Sequence, residues 1–169
     1  MVEANLLVTF EPTHADSAKK EIESLLSEVK EKAKILKADE GLAEISVKDA
    51  KKAVKALNVM AKKNKERFSH TFHWIPVEKW CKATIPEMQK AIKELQKNIS
   101  AKEKWKMDIG RRKTDLHEKE LILKLTEVID KTNVDLKNPD KIFKVEIIGN
   151  KAGISVLDKE ELLNTAKLK

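Results

Sequence analysis

The chain has 169 residues, enough for one domain or two small ones; it is 41% hydrophobic and 37% charged, with 4% aromatics, no Tyr and only four Gly and four Pro, so its cores are mostly aliphatic and its loops short. The lone cysteine, Cys81, excludes an internal disulfide and a zinc ribbon and points to a reducing cytoplasm. No apolar run approaches the roughly 20 residues of a membrane span, and no signal peptide is visible. The net charge of +7 is concentrated: residues 1–50 carry −4, residues 51–113 carry +12 and residues 114–169 carry −1.

Asn5 to Phe10 reads as an apolar opening strand. Thr13, with Asp16 three residues on, is placed to cap a helix whose inward stripe is Ala15, Ala18, Ile22, Leu25, Leu26 and Val29. Ala33 to Ala38 and the alternating Leu42 to Val47 form a hairpin about Asp39-Glu40-Gly41. Asp49 then caps a helix with Ala50, Ala53, Val54, Leu57 and Ala61 inward, and Phe68 to Val77 is a fourth strand. The order βαββαβ is the split-βαβ, ferredoxin-like arrangement.

A second unit follows. Thr84 and Glu87 make a capping box around Pro86, and Ile85, Met88, Ile92, Leu95 and Ile99 give that helix its apolar face. In the next strand Trp105, Met107 and Ile109 point one way and Lys104, Lys106 and Asp108 the other, and the strand ends in a basic turn at Arg111-Arg112-Lys113. Asp115 and Glu118 open a long helix over residues 115–131 with Leu121, Ile122, Leu125, Val128 and Ile129 inward. Asn138-Pro139-Asp140 is a turn, and the chain closes with a hairpin in which Phe143, Val145 and Ile147 alternate with Lys144 and Glu146.

A basic middle third favours a polyanion, because clustered Lys and Arg release counterions from phosphates; a solvated Lys-rich surface is the other reading. Arg111 and Arg112 are two of only three arginines, the third being Arg67. Planar guanidinium takes phosphate bidentately where ammonium cannot, so RNA contact is favoured at this pair. Lys62, Lys63 and Lys65 are less specific and read equally as a solvated helix end. Trp105 belongs to a core by its alternation, whereas Trp74 and Trp80 flank the basic strand, where core packing is favoured and stacking on an unpaired base is the alternative.

Signs of catalysis are sparse. Gly41, Gly110, Gly149 and Gly153 form no Gly-x-Gly cluster, which argues against a P-loop, a dinucleotide cradle or an acetyl-CoA pyrophosphate loop. His70 and His73, three apart on a strand, face opposite sides and do not suit one metal. Cys81 reads as a small buried hydrophobe before a nucleophile. Asp135, Asn138 and Asp140 are expected to shape their loop.

Several segments together resemble a known family. Ile75-Pro76, Cys81-Lys82-Ala83, Arg111-Arg112-Lys113, Val134-Asp135-Leu136, Asn138-Pro139 and Val145-Glu146-Ile147-Ile148 follow one another as they do in the stand-alone THUMP proteins of the tRNA cytidine-acetylation system. The resemblance covers residues 68–158, and the N-terminal third only loosely, as the ferredoxin-like domain such proteins place before THUMP. It implies an α+β chain with a ferredoxin-like N-terminal domain at 1–66 and a THUMP domain at 67–169. It also implies a non-catalytic adaptor that binds tRNA and presents it to a separate acetyltransferase forming N4-acetylcytidine. No cofactor, metal, membrane or small-molecule substrate is expected, and no fused catalytic domain, since the chain stops about ten residues after the last strand. The alternative is an RNA-binding or protein-interaction module of another tRNA-modifying complex, without catalytic activity of its own. The candidate RNA contacts are Arg111, Arg112, Lys113, Lys104, Lys106, Lys82 and Arg67, on a positive face drawn from residues 51–113.

Overall fold

The structure is a computed structural model that describes residues 3–168. In chain order its first elements are β1 (Leu6–Phe10), α1 (Ala15–Glu28), β2 (Lys34–Asp39), β3 (Leu42–Ser46), α2 (Ala50–Lys63) and β4 (Thr71–Pro76). Then follow β5 (Lys79–Lys82), α3 (Ile85–Leu95), β6 (Trp105–Arg112), α4 (Glu118–Thr126), β7 (Lys141–Ile148), β8 (Lys151–Leu157) and β9 (Leu163–Asn164). The described residues pack as two compact units, one of residues 3–77 with 160–168 and one of Glu78–Lys159.

The first unit is an antiparallel sheet in the order β2-β3-β1-β4-β9. Its β2-β3-β1-β4 core is the strand order that the βαββαβ succession requires: α1 and α2 each carry the chain across a central neighbour, and β2 and β3 are joined directly. The hairpin turn uses left-handed backbone at both central residues, Glu40 (φ 51°) and Gly41 (φ 82°), which matches the twist of the flanking strands. Asp49 caps α2 as its side chain accepts from the Lys52 N–H at 3.1 Å. Thr13 does not cap α1. A 3-10 turn at Pro12–His14 intervenes, capped by Glu11, and the Thr13 hydroxyl donates to that carboxylate instead. The core holds Leu6, Val8, Ile22, Leu25, Leu26, Ile45, Val54, Leu57 and Trp74. Trp74 is fully buried, and its indole N–H donates to Thr71 Oγ1 at 3.0 Å.

The C-terminal segment belongs to this first sheet. β9 pairs with β4 at His73 and Trp74, Asn58 Nδ2 donates to Glu160 O at 2.7 Å, and Thr165 Oγ1 donates to Thr71 O at 2.7 Å. A division at 66/67 would cut β4 from the sheet it completes, and a second domain running to 169 would take β9 with it. The packing instead divides the chain after Val77 and again before Glu160.

The second unit has a mixed sheet in the order β5-β8-β7-β6, in which β6 and β7 run parallel and the other pairs antiparallel. The parallel pair is joined through α4, while the tight Gly149-Asn150 turn joins β7 to β8. One sheet face packs on α3 and α4 around Met88, Ile92, Trp105, Ile109, Leu121, Leu125, Phe143, Val145, Ile147 and Ile154. Trp105 is buried edge-on against Phe143 with its indole N–H donating to Lys131 O at 3.2 Å. Thr84 caps α3, accepting from the Glu87 N–H at 3.4 Å.

The second unit also departs from the expected pattern at three points. β6 runs on through Arg111 and Arg112, so the basic pair is strand and the turn begins at Lys113, whose φ is 53°. The last helix spans only Glu118–Thr126; Asp115 lies before it, and its N-cap is His117 with no side-chain bond. Ile122 stands 36% exposed, because a nine-residue helix turns only Leu121 and Leu125 fully inward.

Candidate nucleic-acid interface

Pairing register decides which basic side chains stand together in the second unit. Side chains alternate along a strand, so residues directly opposite on neighbouring strands share a face. Arg112 pairs with Ile148, Ile148 with Lys151, and Lys151 with Lys82. Their chain neighbours Ile147, Ala152 and Cys81 point into the helix-covered core, so Arg112, Ile148, Lys151 and Lys82 line up across the opposite face. At about 4.8 Å per strand the row spans about 14 Å. It lies at the end of the sheet where the β7–β8 turn and exposed Lys113 also sit, closed by Gly149 N–H donating to Arg112 O at 2.8 Å.

Trp80 pairs with Gly153, two residues along from the row, and presents its ring to the Lys151 ammonium at 4.6 Å. The ring is half-buried, in contrast to buried Trp74 and Trp105. Lys151 was not singled out from sequence. The signal was available in the strict register of a two-residue hairpin, which sets Lys151 opposite Ile148 once the β7 strand is placed.

The six candidate residues of the second unit do not form one patch. Arg112, Lys113 and Lys82 gather at the row. Arg111, the next residue in the strand, points to the helix side, where its Nη1 donates to Leu116 O at 2.7 Å and its Nη2 lies 4.0 Å from a Glu118 carboxylate oxygen. That guanidinium braces the β6–α4 turn. Lys106 shares the outer face with Arg112 but lies six residues, about 20 Å, down the strand. Lys104 lies beyond it, with its ammonium 3.6 Å from Asp135 and its N–H donating to Asp140 at 2.9 Å. Arg67 belongs to the first unit, where it bonds Glu28 at 2.8 Å and Ser24 at 3.3 Å across from α1.

Between the two ends of β6 lies a charged cluster of another kind. Lys144 is 8% exposed, and its ammonium lies 2.9 Å from Glu146 and 3.2 Å from Asp108. Burial alone would lower its pKa, but the two carboxylates outweigh burial and hold it above the usual lysine value. Gly110 packs against the Glu146 carboxylate so closely that a Cβ there would overlap it. This lysine is internally neutralised and adds nothing to the row. Asp135 caps its own loop, accepting from Lys137 and Asn138 N–H groups at 2.9 and 3.0 Å, and these bonds hold its pKa below the usual carboxylate value.

Cys81 is half-buried with its pKa raised, chiefly by burial and then by Glu87, so the thiol form dominates at neutral pH. His70 precedes β4 and stacks on His14 with ring centroids 5.8 Å apart, while His73 lies in β4 against Thr9. Among the described residues no group of three His, Cys, Asp or Glu side chains is arranged to hold a metal ion, and no helix is long and apolar enough to cross a membrane.

Residues 82–157 match the family model of the THUMP domain, which spans α3 through β8 and includes the whole basic row. The second unit thus carries a THUMP domain. No curated protein matches the sequence. Among solved structures the chain is similar to PH1313 of Pyrococcus horikoshii Ot3, with a TM-score of 0.64 and 18% identity over 90% of this chain and 54% of that one. It is also similar to TrmN of Thermus thermophilus (TM-score 0.57, 16% identity, covering 89% of this chain and 44% of that one). A third is a Clostridium difficile 630 protein described as a possible methylase (TM-score 0.59, 12% identity, covering 92% of this chain and 41% of that one). The chain spans about half the length of these structures. At such identities the likeness is one of fold.

Proposed function

We propose that this chain is a non-catalytic tRNA-binding adaptor of the cytoplasm, which presents tRNA to a separate acetyltransferase for N4-acetylcytidine formation. The observation that carries the RNA-binding part is the basic row, Arg112, Lys151 and Lys82 with Lys113 beside it, inside a THUMP domain. Guanidinium and ammonium groups spaced across a sheet end meet an anionic backbone through phosphates and shape, with few base-edge contacts. The adaptor role and the acetyltransferase partner rest on the resemblance of residues 68–158 to the stand-alone proteins of that system. Lack of a glycine-rich phosphate loop supports the non-catalytic reading.

A second reading, a protein-interaction module of another tRNA-modifying complex, draws on Leu123 and Leu136, which stand 70% and 73% exposed on the same unit. The two are compatible, since an adaptor also holds its enzyme. The test is reconstitution of acetyl transfer to tRNA with the acetyltransferase, with and without this chain. The expected result is product that depends on the chain and fails with Arg112→Ala plus Lys151→Ala. Acetyl transfer by the chain alone would overturn the non-catalytic reading, and enzyme activity indifferent to the chain would overturn the adaptor.

A further inference from the structure

The first unit carries a cleft that the basic row does not use. It encloses about 530 Å³ between the 3-10 turn after α2, the start of β4 and the C-terminal segment. Its floor is buried Phe68 and Thr71, and its wall is Phe72, an aromatic left 40% exposed in a chain with few aromatics. The strand β9 pairs with β4 only at His73 and Trp74, so pairing stops one residue short of Phe72. Beyond it, Thr165 Oγ1 donates to Thr71 O and holds the C-terminal side of the cleft in place.

We propose that this cleft takes an unpaired nucleotide of bound RNA, with the base stacked on Phe72 and its phosphate on Lys65. The volume falls in the range of about 300–1,000 Å³ typical of small-ligand sites and suits a base with its sugar and phosphate. Base stacking on an aromatic is tolerant of sequence because every base has a π-face. Charge complementarity selects the occupant. Lys65 lines the cleft, and Lys62 and Lys63 stand exposed just before it at the end of α2. Glu66 is the one acidic residue of the lining, and Glu21 stands at its edge, accepting from the Ser69 hydroxyl at 3.5 Å and the His70 N–H at 3.1 Å; both repel phosphate and so confine it to the Lys65 side, leaving the Glu66 carboxylate to accept from a base amino or ribose hydroxyl. A base inside a duplex keeps both faces stacked and does not reach Phe72, so the site selects unpaired nucleotides over the body of a duplex. The inference rests on the RNA-binding reading above.

The test is binding of a labelled single-stranded RNA hexanucleotide and of a blunt RNA duplex to the full chain, followed by fluorescence anisotropy. Phe72→Ala is expected to weaken the single strand about tenfold and leave the duplex unchanged. Phe72→Trp is expected to retain binding, and Lys65→Ala to weaken the single strand and reduce its salt slope by about one. Arg112→Ala provides the contrast by weakening the duplex. Single-strand affinity unchanged in Phe72→Ala, with duplex affinity lost in Arg112→Ala, would overturn the cleft and leave the RNA reading standing. Equal loss on both RNAs in Phe72→Ala, unrescued by Phe72→Trp, would also overturn the cleft. Failure of the unaltered chain to bind either RNA would overturn both.

Discussion

Replacing Lys144 by methionine removes the cation from a cluster that has little water to fall back on. The Lys144 side chain is 10% exposed and that of Glu146 13%, whereas Asp108 is 47% exposed. At an effective dielectric near 20, each contact of about 3 Å represents about 5 kcal/mol of attraction, most of it offset by desolvation of the charges. Removing the lysine leaves Glu146 buried without a counter-ion, so Lys144→Met is expected to cost about 3–5 kcal/mol. Glu146→Gln is milder, about 1–3 kcal/mol, because Lys144 keeps Asp108. Combining Lys144→Met with Glu146→Leu is expected to recover most of the loss, since no buried charge is then unpaired and Asp108 retains water. Urea unfolding, with amide exchange in β7 as the local readout, measures all three. The sign of the pH dependence follows from the raised lysine pKa. Its contribution is fully present below the unfolded value of about 10.4 and is lost as pH rises through the higher folded value. A Lys144→Met chain within 1 kcal/mol of the parent, or a double variant no better than the single, would refute this reasoning.

Other substitutions probe neighbouring features. Gly110→Ala pushes the Glu146 carboxylate off Lys144 and is expected to cost about 1–3 kcal/mol by the same unfolding assay. Gly41→Ala forces a side chain into left-handed backbone, with its Cβ 2.8 Å from Phe10 O, and is expected to lower stability by at least about 1–2 kcal/mol on thermal unfolding. Arg67→Ala removes surface contacts to Glu28 and Ser24 and is expected to cost no more than about 1 kcal/mol. Because Glu28 already neutralises it, tRNA affinity is expected to change less than twofold in a binding titration.

Much of the fold was legible because its elements are strongly patterned. The α2 stripe Ala50, Ala53, Val54, Leu57 and Ala61 is buried as its spacing predicts, and the Asp49 and Thr84 caps form. Short elements were not legible. β5 has four residues and β9 two, and each exists because a neighbouring strand offers an edge, which no local pattern records. The last helix is shorter than its apolar period suggested: Val128 and Ile129 pack on the core from the turn beyond α4, so tertiary burial and not helix continuation explains their spacing.

The site was legible as a composition and not as a geometry. A +12 middle third says that cations are clustered in sequence. It does not say that strand alternation sends Arg111 inward to Leu116 and Arg112 outward, or that Lys104 stands at the far end of β6 against Asp135. Lys151, outside that third, joins the row only through hairpin register. Trp80 and Lys82 reach it through β5, the strand the sequence did not reveal.

The measurement that tests the central claim most directly is tRNA binding by the purified chain over a salt series, with a DNA duplex of matched length as competitor, repeated with Arg112, Lys151 and Lys82 changed together to alanine. The account predicts salt-sensitive binding that prefers tRNA, and a salt slope reduced by about two to three when the three cations are removed. Equal binding to DNA, or a slope and affinity unchanged in the triple variant, would contradict it.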